Sequence, residues 1–278
     1  MYVDTSCSDQ RSARLQRAEG RSRVAFRLRA GATRLQTLFQ EGCAKIRLPA
    51  ALAGVAPEAI LINTAGGLTG GDRLTTEVEL APGTRAVVTT QACERVYRST
   101  GADAVVTNRL RLSEGAHLAW LPQETILFDG GQLKRVLEAD LAGGAELVAV
   151  EAMVLGRTAM GETVRTGALH DRWRIRRDGR PIFADDLRLD REIAARVARP
   201  AVLGGNVAMA TVLHAGPEPE RLLAPARAII GEAGGASAWD GKLVARLVAE
   251  NSLALRRRLE TLLQLLLGEH PLPKVWRI

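Results

Sequence analysis

The chain has 278 residues, enough to bury a substantial core in one large domain or two small ones. Its formal net charge is +7 with both signs mixed along most of its length, its three cysteines show no CxxC spacing, and no apolar run reaches bilayer length. These features argue against a disulfide framework, a membrane-spanning helix and a uniformly basic nucleic-acid binder, and they point to a reducing, cytoplasmic setting.

The first stretch, 1–23, carries Arg11, Arg14, Arg17, Arg21 and Arg23 among few acids and reads as a solvated, flexible arm. It lacks the interleaved aromatics of a single-strand nucleic-acid binder and the apolar core of a secretory signal, although an Arg-rich, acid-poor start also resembles a transit peptide. From Val24 to Phe183 the pattern is mostly strands. Leu74, Thr76, Val78 and Leu80 alternate with their neighbours; Val106, Leu110 and Leu112 share a face, as do Leu133, Arg135, Leu137, Ala139 and Leu141. The run 147–155 is apolar except for Glu151, which suits a strand covered on both sides. Turn residues recur at regular intervals (Pro82-Gly83, Gly101, Glu114-Gly115, Gly130-Gly131, Gly143-Gly144), which predicts an all-β stack rather than βαβ units. No sequence repeat accompanies them. Asp178-Gly179 signals a hairpin.

The last third changes character. Helical spacing appears over 190–199, a second helix within 217–230 is expected to break or kink near Pro225, and 242–249 reads as a strand. A final helix, capped by Asn251 or Ser252 and stopped by Gly268, lines up Leu255, Leu259, Leu262, Leu263 and Leu266 in one stripe. The expected fold is mainly β with helices toward the C-terminus, as a single domain over 24–278.

The most unusual segment is 60–74, I-L-I-N-T-A-G-G-L-T-G-G-D-R-L, with glycine pairs Gly66-Gly67 and Gly70-Gly71 running into Asp72-Arg73. A phosphate loop needs a lysine and a hydroxyl after its last glycine; here Asp72 stands in the lysine position, and a strand rather than a helix follows. The loop therefore reads as a tight turn between strands, with Asp72 either lining a site or fixing the turn, through a salt bridge or cap with Arg73. The four histidines form no zinc-type spacing, and no nucleophile elbow is present. Cys93 reads as a small buried residue. The remaining chemistry lies in carboxylates: Asp72, Glu94, Glu124, Asp129, Glu151 and Glu162. Glu151, set among apolar neighbours, must be paired or line water, an arginine such as Arg157 being one candidate partner. Glu124 and Asp129 flank 126–128 and leave open a carboxylate-dependent hydrolase acting on polysaccharide, although sugar-stacking aromatics are scarce.

The glycine loop, the T-T-Q…Y-R-S segment around Thr89-Thr90-Gln91 and Tyr97-Arg98-Ser99, and the L-P-Q segment 121–128 occur in the order and spacing seen in the urease accessory protein family UreD (also called UreH), which this chain resembles over residues 24–278. Leu155-Gly156-Arg157, Asp171-Arg172-Trp173 and the ending 272–277 add to the likeness. The resemblance implies a stacked, superhelical β arrangement and a protein that is not an enzyme. It implies docking on the urease apoprotein and on UreF, which carries the GTPase UreG, with no nucleic-acid or membrane partner. It implies nickel delivered to the urease active site through an internal water-filled passage, so that nickel is in transit and no cofactor is bound stably. Hard oxygen ligands hold nickel less firmly than imidazole or thiolate, which suits an ion that must be admitted and released. Asp72, Glu94, Glu124, Asp129 and Glu151 are accordingly the candidates for passage-lining or loop function. The motif residues Gly66, Gly67, Gly70, Gly71, Arg73, Tyr97 and Arg98 are expected to hold structure. The position after the motif glutamine, Glu124, is variable in the family, and the arm before Val24 has no counterpart there.

Overall fold

The computed structural model describes residues 16–50, 54–157 and 160–277. Its strands in chain order are β1 (Glu19–Arg29), β2 (Ala32–Gly42), β3 (Ala44–Arg47), β4 (Glu58–Asn63), β5 (Arg73–Leu80), β6 (Arg85–Thr90), β7 (Glu94–Val96), β8 (Ala104–Leu112), β9 (His117–Leu121), β10 (Thr125–Leu127), β11 (Gln132–Leu141), β12 (Glu146–Leu155), β13 (Ala168–Arg177) and β14 (Arg180–Asp190). A short helix α1 (Ile193–Val197) precedes β15 (Ala208–Ala215); then come α2 (Pro219–Ile230), β16 (Gly234–Trp239), β17 (Lys242–Ala249) and α3 (Ser252–Leu267).

The strands form a seven-stranded sheet I, in the order β14-β13-β11-β8-β5-β1-β2, and a ten-stranded sheet II built on β16-β17-β15-β12-β9-β6-β4-β3. The centre of each sheet is parallel: β1-β5-β8-β11-β13 in sheet I and β4-β6-β9-β12 in sheet II. The chain achieves this by alternating between the sheets, so that β5, β8 and β11 in sheet I each turn directly into β6, β9 and β12 in sheet II. The result resembles a β-solenoid, with antiparallel strands closing both flanks. At one end of the coils the turns are short and carry Pro82-Gly83, Glu114-Gly115 and Gly143-Gly144. At the other end the connections are longer and include β7 and β10, β10 pairing with both β7 and β12. Equivalent positions on neighbouring coils lie about one coil apart in sequence, as the contacts Asn63–Glu94, Arg98–Asp129 and Trp120–Glu151, each 31 residues apart, show.

The alternation predicted for β5, β8 and β11 holds, and those inward faces form the core between the sheets with Val24, Phe26, Trp120, Leu147, Trp173 and Ile175. Strand β12 is buried along both faces. Its outer face packs beneath α2, α3 and Trp276, where Leu255, Leu259, Leu262, Leu263 and Leu266 of α3 are buried. Each such leucine contributes about 2 kcal/mol relative to exposure. Asn251 caps α3 by accepting the Ala254 N–H at 2.8 Å, and Gly268 ends it.

Two expectations change. Helix α2 runs unbroken through Pro225. Both Pro225 and Arg221, whose carbonyl loses its partner, lie on the exposed side, so that carbonyl is not left buried without a partner. And sheet I begins at Glu19 rather than at Val24, because 20–23 pair with both β2 and β5 and Glu19 pairs with β5. Residues 1–15 of the expected arm lie outside the described residues. Among the described residues no helix is long and apolar enough to cross a membrane.

Candidate functional site

The inward face of sheet I is apolar near the short turns but changes in the third of each strand nearest the long loops. Ser22, Thr76 and Asn108 are cross-strand neighbours on β1, β5 and β8, all buried, and the Ser22 and Thr76 hydroxyls lie 3.2 Å apart. Beside them Arg135 of β11 pairs with Asp171 of β13. Opposite, on sheet II, stands Glu151 of β12. This polar belt separates the apolar core from a second apolar cluster under the loops that includes Leu68, Val96, Leu127, Leu133 and Leu155.

The centre of the belt is a buried charge cluster. Arg135 Nη1 lies 2.6 Å from Glu151 Oε2, and its Nε and Nη2 donate to both oxygens of Asp171 at 3.1 and 2.7 Å. Arg135 also donates to Thr125 Oγ1 at 3.0 Å, and Trp120 Nε1 donates to Glu151 Oε1 at 3.1 Å. Burial pushes the Glu151 carboxyl well above its ordinary range, against the pull of Arg135; Asp171 adds to the rise. The predicted arginine partner of Glu151 is therefore Arg135, not Arg157. Arg157 instead pairs with Glu162 at 2.8 Å and lies over the Phe128 ring.

A cavity of about 250 Å³ lies at this belt between the sheets. Its polar lining includes Asn63, Thr76, Glu94, Asn108, Arg135 and Glu151, and the exposed Gly66, Gln91 and Arg95 contribute to its rim. Glu94, at the start of β7, accepts from Asn63 Nδ2 at 3.3 and 3.2 Å, and burial raises its carboxyl above the ordinary range despite that bond. Among the described residues no group of three or more His, Cys, Asp or Glu side chains is placed to hold a metal ion.

The other candidate carboxylates are tied elsewhere. Asp72 is buried and accepts the backbone N–H groups of Ala18 and Thr69, each at 2.8 Å; it pins the glycine loop to the chain leading into β1, while Arg73 is exposed. The loop itself needs glycine at two close approaches. A Cβ on Gly67, whose φ is +150°, would fall 2.3 Å from the Tyr97 ring, and one on Gly70 would fall 2.0 Å from Ser99 Oγ. Tyr97 packs edge-on to Phe128, and Arg98 pairs with Asp129 at 2.9 Å. Asp129 is held low chiefly by the Thr166 and Arg165 backbone amides, with Arg98 assisting. Glu124 is 1% exposed and is bound by Arg256 of α3, whose Nε donates at 2.9 Å. Cys93 donates to Glu124 at 3.4 Å, and burial pushes its thiol up to about 11, with Glu124 adding to the effect. Thus Glu94 and Glu151 share the cavity, whereas Asp72, Glu124 and Asp129 fix the loops around it. The acid pair a hydrolase would use, Glu124 and Asp129, is committed to these contacts.

Sequence reasoning missed Arg135, Asp171 and Arg256. Arg135 did leave a signal, a lone charge on the apolar face shared by Leu133 and Leu137.

Comparison with known proteins matches the sequence to one family. Residues 18–277 match the profile of the UreD urease accessory protein. The chain is 52% identical over 275 residues to the urease accessory protein UreD of Agrobacterium fabrum (strain C58), covering 99% of this chain and 96% of that one. It is 53% identical over 268 residues to the UreD of Rhizobium leguminosarum bv. viciae, covering 96% and 98%. It is 52% identical over 268 residues to the urease accessory protein UreD 1 of Brucella abortus biovar 1, covering 95% of each. With full-length identity at this level, the chain belongs to the UreD family of urease accessory proteins.

Proposed function

We propose that this chain is a urease maturation factor that binds the urease apoprotein and UreF, with UreG held through UreF, and passes nickel to the urease active site through the cavity between its sheets. Family membership supports the role in urease maturation. The observation that carries the passage is the cavity at the polar belt, which Glu94 and Glu151 line and whose rim reaches the surface at Gly66, Gln91 and Arg95. Both carboxylates already have protein partners, Arg135 for Glu151 and Asn63 for Glu94, so what they add to the cavity is oxygen ligands within reach of a hydrated cation that enters it.

Oxygen ligands suit the cargo. They bind a divalent transition metal weakly enough for release, which imidazole and thiolate would resist. In this reading the chain acts in the cytoplasm by contact and passage, without turnover and without a resident cofactor. Asp72 serves the rim by holding the glycine loop.

The test is co-expression of the matching urease with its other accessory proteins, with and without this chain, reading urease activity and nickel content. Both are expected to collapse without the chain, and Asp72→Ala and Glu94→Gln are expected to reproduce part of the loss. Unchanged nickel loading in the absence of the chain would overturn the reading.

A further inference from the structure

The charge cluster at the floor of the cavity is unbalanced and unevenly held. One guanidinium, which stays protonated in any accessible pH range, faces two carboxylates. The side chains of Arg135, Glu151 and Asp171 are 6, 2 and 8% exposed, so the surplus negative charge is poorly screened. Asp171 grips Arg135 with both oxygens, through Nε and Nη2. Glu151 has a single contact with it, through Nη1, and its second oxygen is oriented by Trp120. Arg135 and Glu151 line the cavity, and Asp171 backs the guanidinium from the neighbouring strand.

This geometry is that of a cation site filled by the protein's own cation. A carboxylate pair and the Thr125 hydroxyl surround Arg135 as oxygen ligands would surround a metal ion. An arriving divalent cation competes only for Glu151. Arg135 has one contact to release there and keeps its bidentate hold on Asp171. Its retained positive charge then repels the ion from behind and shortens its stay.

We propose that Arg135 is the resident counter-cation of the cavity: it occupies Glu151 when the cavity is empty, cedes it to a passing divalent transition-metal ion, and reclaims it to drive release. The proposal rests on the nickel-passage reading and assigns Arg135 as a positioning residue that sets how long the ion dwells. Without Arg135 the same oxygens would retain the ion.

The experiment uses the full chain in its complex with urease and the other accessory proteins, supplied with nickel. In Arg135→Gln/Asp171→Asn one positive and one negative charge are removed together, so the buried net charge is unchanged and Glu151 is left free. Nickel bound to this chain, read by native mass spectrometry after gel filtration, is expected to rise by about tenfold or more over wild type, while the rate of urease loading falls. Adding Glu151→Gln to that variant is expected to abolish the retention. Retention and loading both at the wild-type level in the double variant would overturn the proposal. Should the double variant fail to assemble, Glu151→Gln alone decides, because it leaves Arg135 paired with Asp171: loading is expected to drop with assembly intact, and wild-type loading would overturn the assignment. The two readings fail differently. If the wild-type chain is dispensable for loading, the passage itself is wrong; if it is required but the variants behave as wild type, the exchange between Arg135 and Glu151 is wrong while the maturation role stands.

Discussion

The two ends of the coiled stack are built from the same strands yet follow opposite rules. Toward the short turns the inward positions are Val78, Leu80, Leu110, Leu112, Ala139 and Leu141, a dry core closed by tight reversals. Toward the long loops the same faces carry Thr76, Asn108, Arg135 and Asp171, and the connections are tied by Glu124–Arg256 and Arg98–Asp129. Strand alternation alone does not cause this difference, since parity is unbroken along β5, β8, β11 and β13. It reflects which residues occupy the inward positions. The turn end is continuously apolar, whereas toward the loops a polar belt interrupts the apolar packing before the second cluster of Leu68, Val96, Leu127 and Leu133 begins.

Truncations at the two ends should separate these rules most sharply. Leu110→Ala removes packing from the dry end and is expected to cost about 2–5 kcal/mol by urea unfolding. Arg256→Ala leaves Glu124 buried without its partner and is expected to cost about 3–5 kcal/mol, yet Arg256→Met/Glu124→Leu should recover most of that loss. A double variant as unstable as Arg256→Ala would mean that the loop end depends on the ion pair itself and would break the comparison.

The ends should also differ in their response to pH. The Glu151 carboxyl is raised above its ordinary value of 4.5. The native state therefore holds its proton more tightly than the unfolded chain. The stabilisation from this group is complete below that ordinary value and is lost as the pH rises through the raised one. Comparing melting temperatures from about pH 8 down to about pH 5, wild type is expected to gain more than Glu151→Gln, while Leu110→Ala keeps the wild-type slope. Equal slopes in wild type and Glu151→Gln would refute the raised carboxyl.

The smallest effect concerns Cys93. With its thiol pushed up to about 11 against an ordinary 9.0, its alkylation near pH 8 should lag an ordinary thiol by about tenfold, the scarcer thiolate being partly offset by its greater nucleophilicity, and Glu124→Gln should speed it. Peptide mapping after timed iodoacetamide exposure checks both; rapid labelling in wild type would show a more open loop end.

Much of the fold is legible in the sequence because local rules dominate it. Alternation marks β5, β8 and β11, the unbroken apolar run marks β12 as covered twice, and Asn251 and Gly268 bracket α3. The coil is not legible, because stacked positions share geometry rather than residue type: Val88, Trp120 and Ala149 are successive neighbours in sheet II and resemble one another in nothing but burial. The site was half legible for a related reason. A lone Glu151 in an apolar run announces a buried partner, but that partner lies on the facing sheet, and no local pattern connects β11 with β12. The nearer Arg157 had sequence proximity in its favour and a different carboxylate in space.

The coil spacing also orders the way the chain is assembled during synthesis. Contacts between neighbouring coils join residues 31 apart, so each new coil closes a loop of similar, modest entropic cost on the one before it. Strand β1 is different: its parallel neighbour β5 lies 54 residues downstream. Until β5 leaves the ribosome, β1 has only β2 beside it, and β2 exposes Leu35, Leu38 and Phe39 even in the finished structure. The β1–β2 ribbon thus waits with the free edge of β1 open, and β5, delivered directly behind the glycine loop, is the strand that covers that edge.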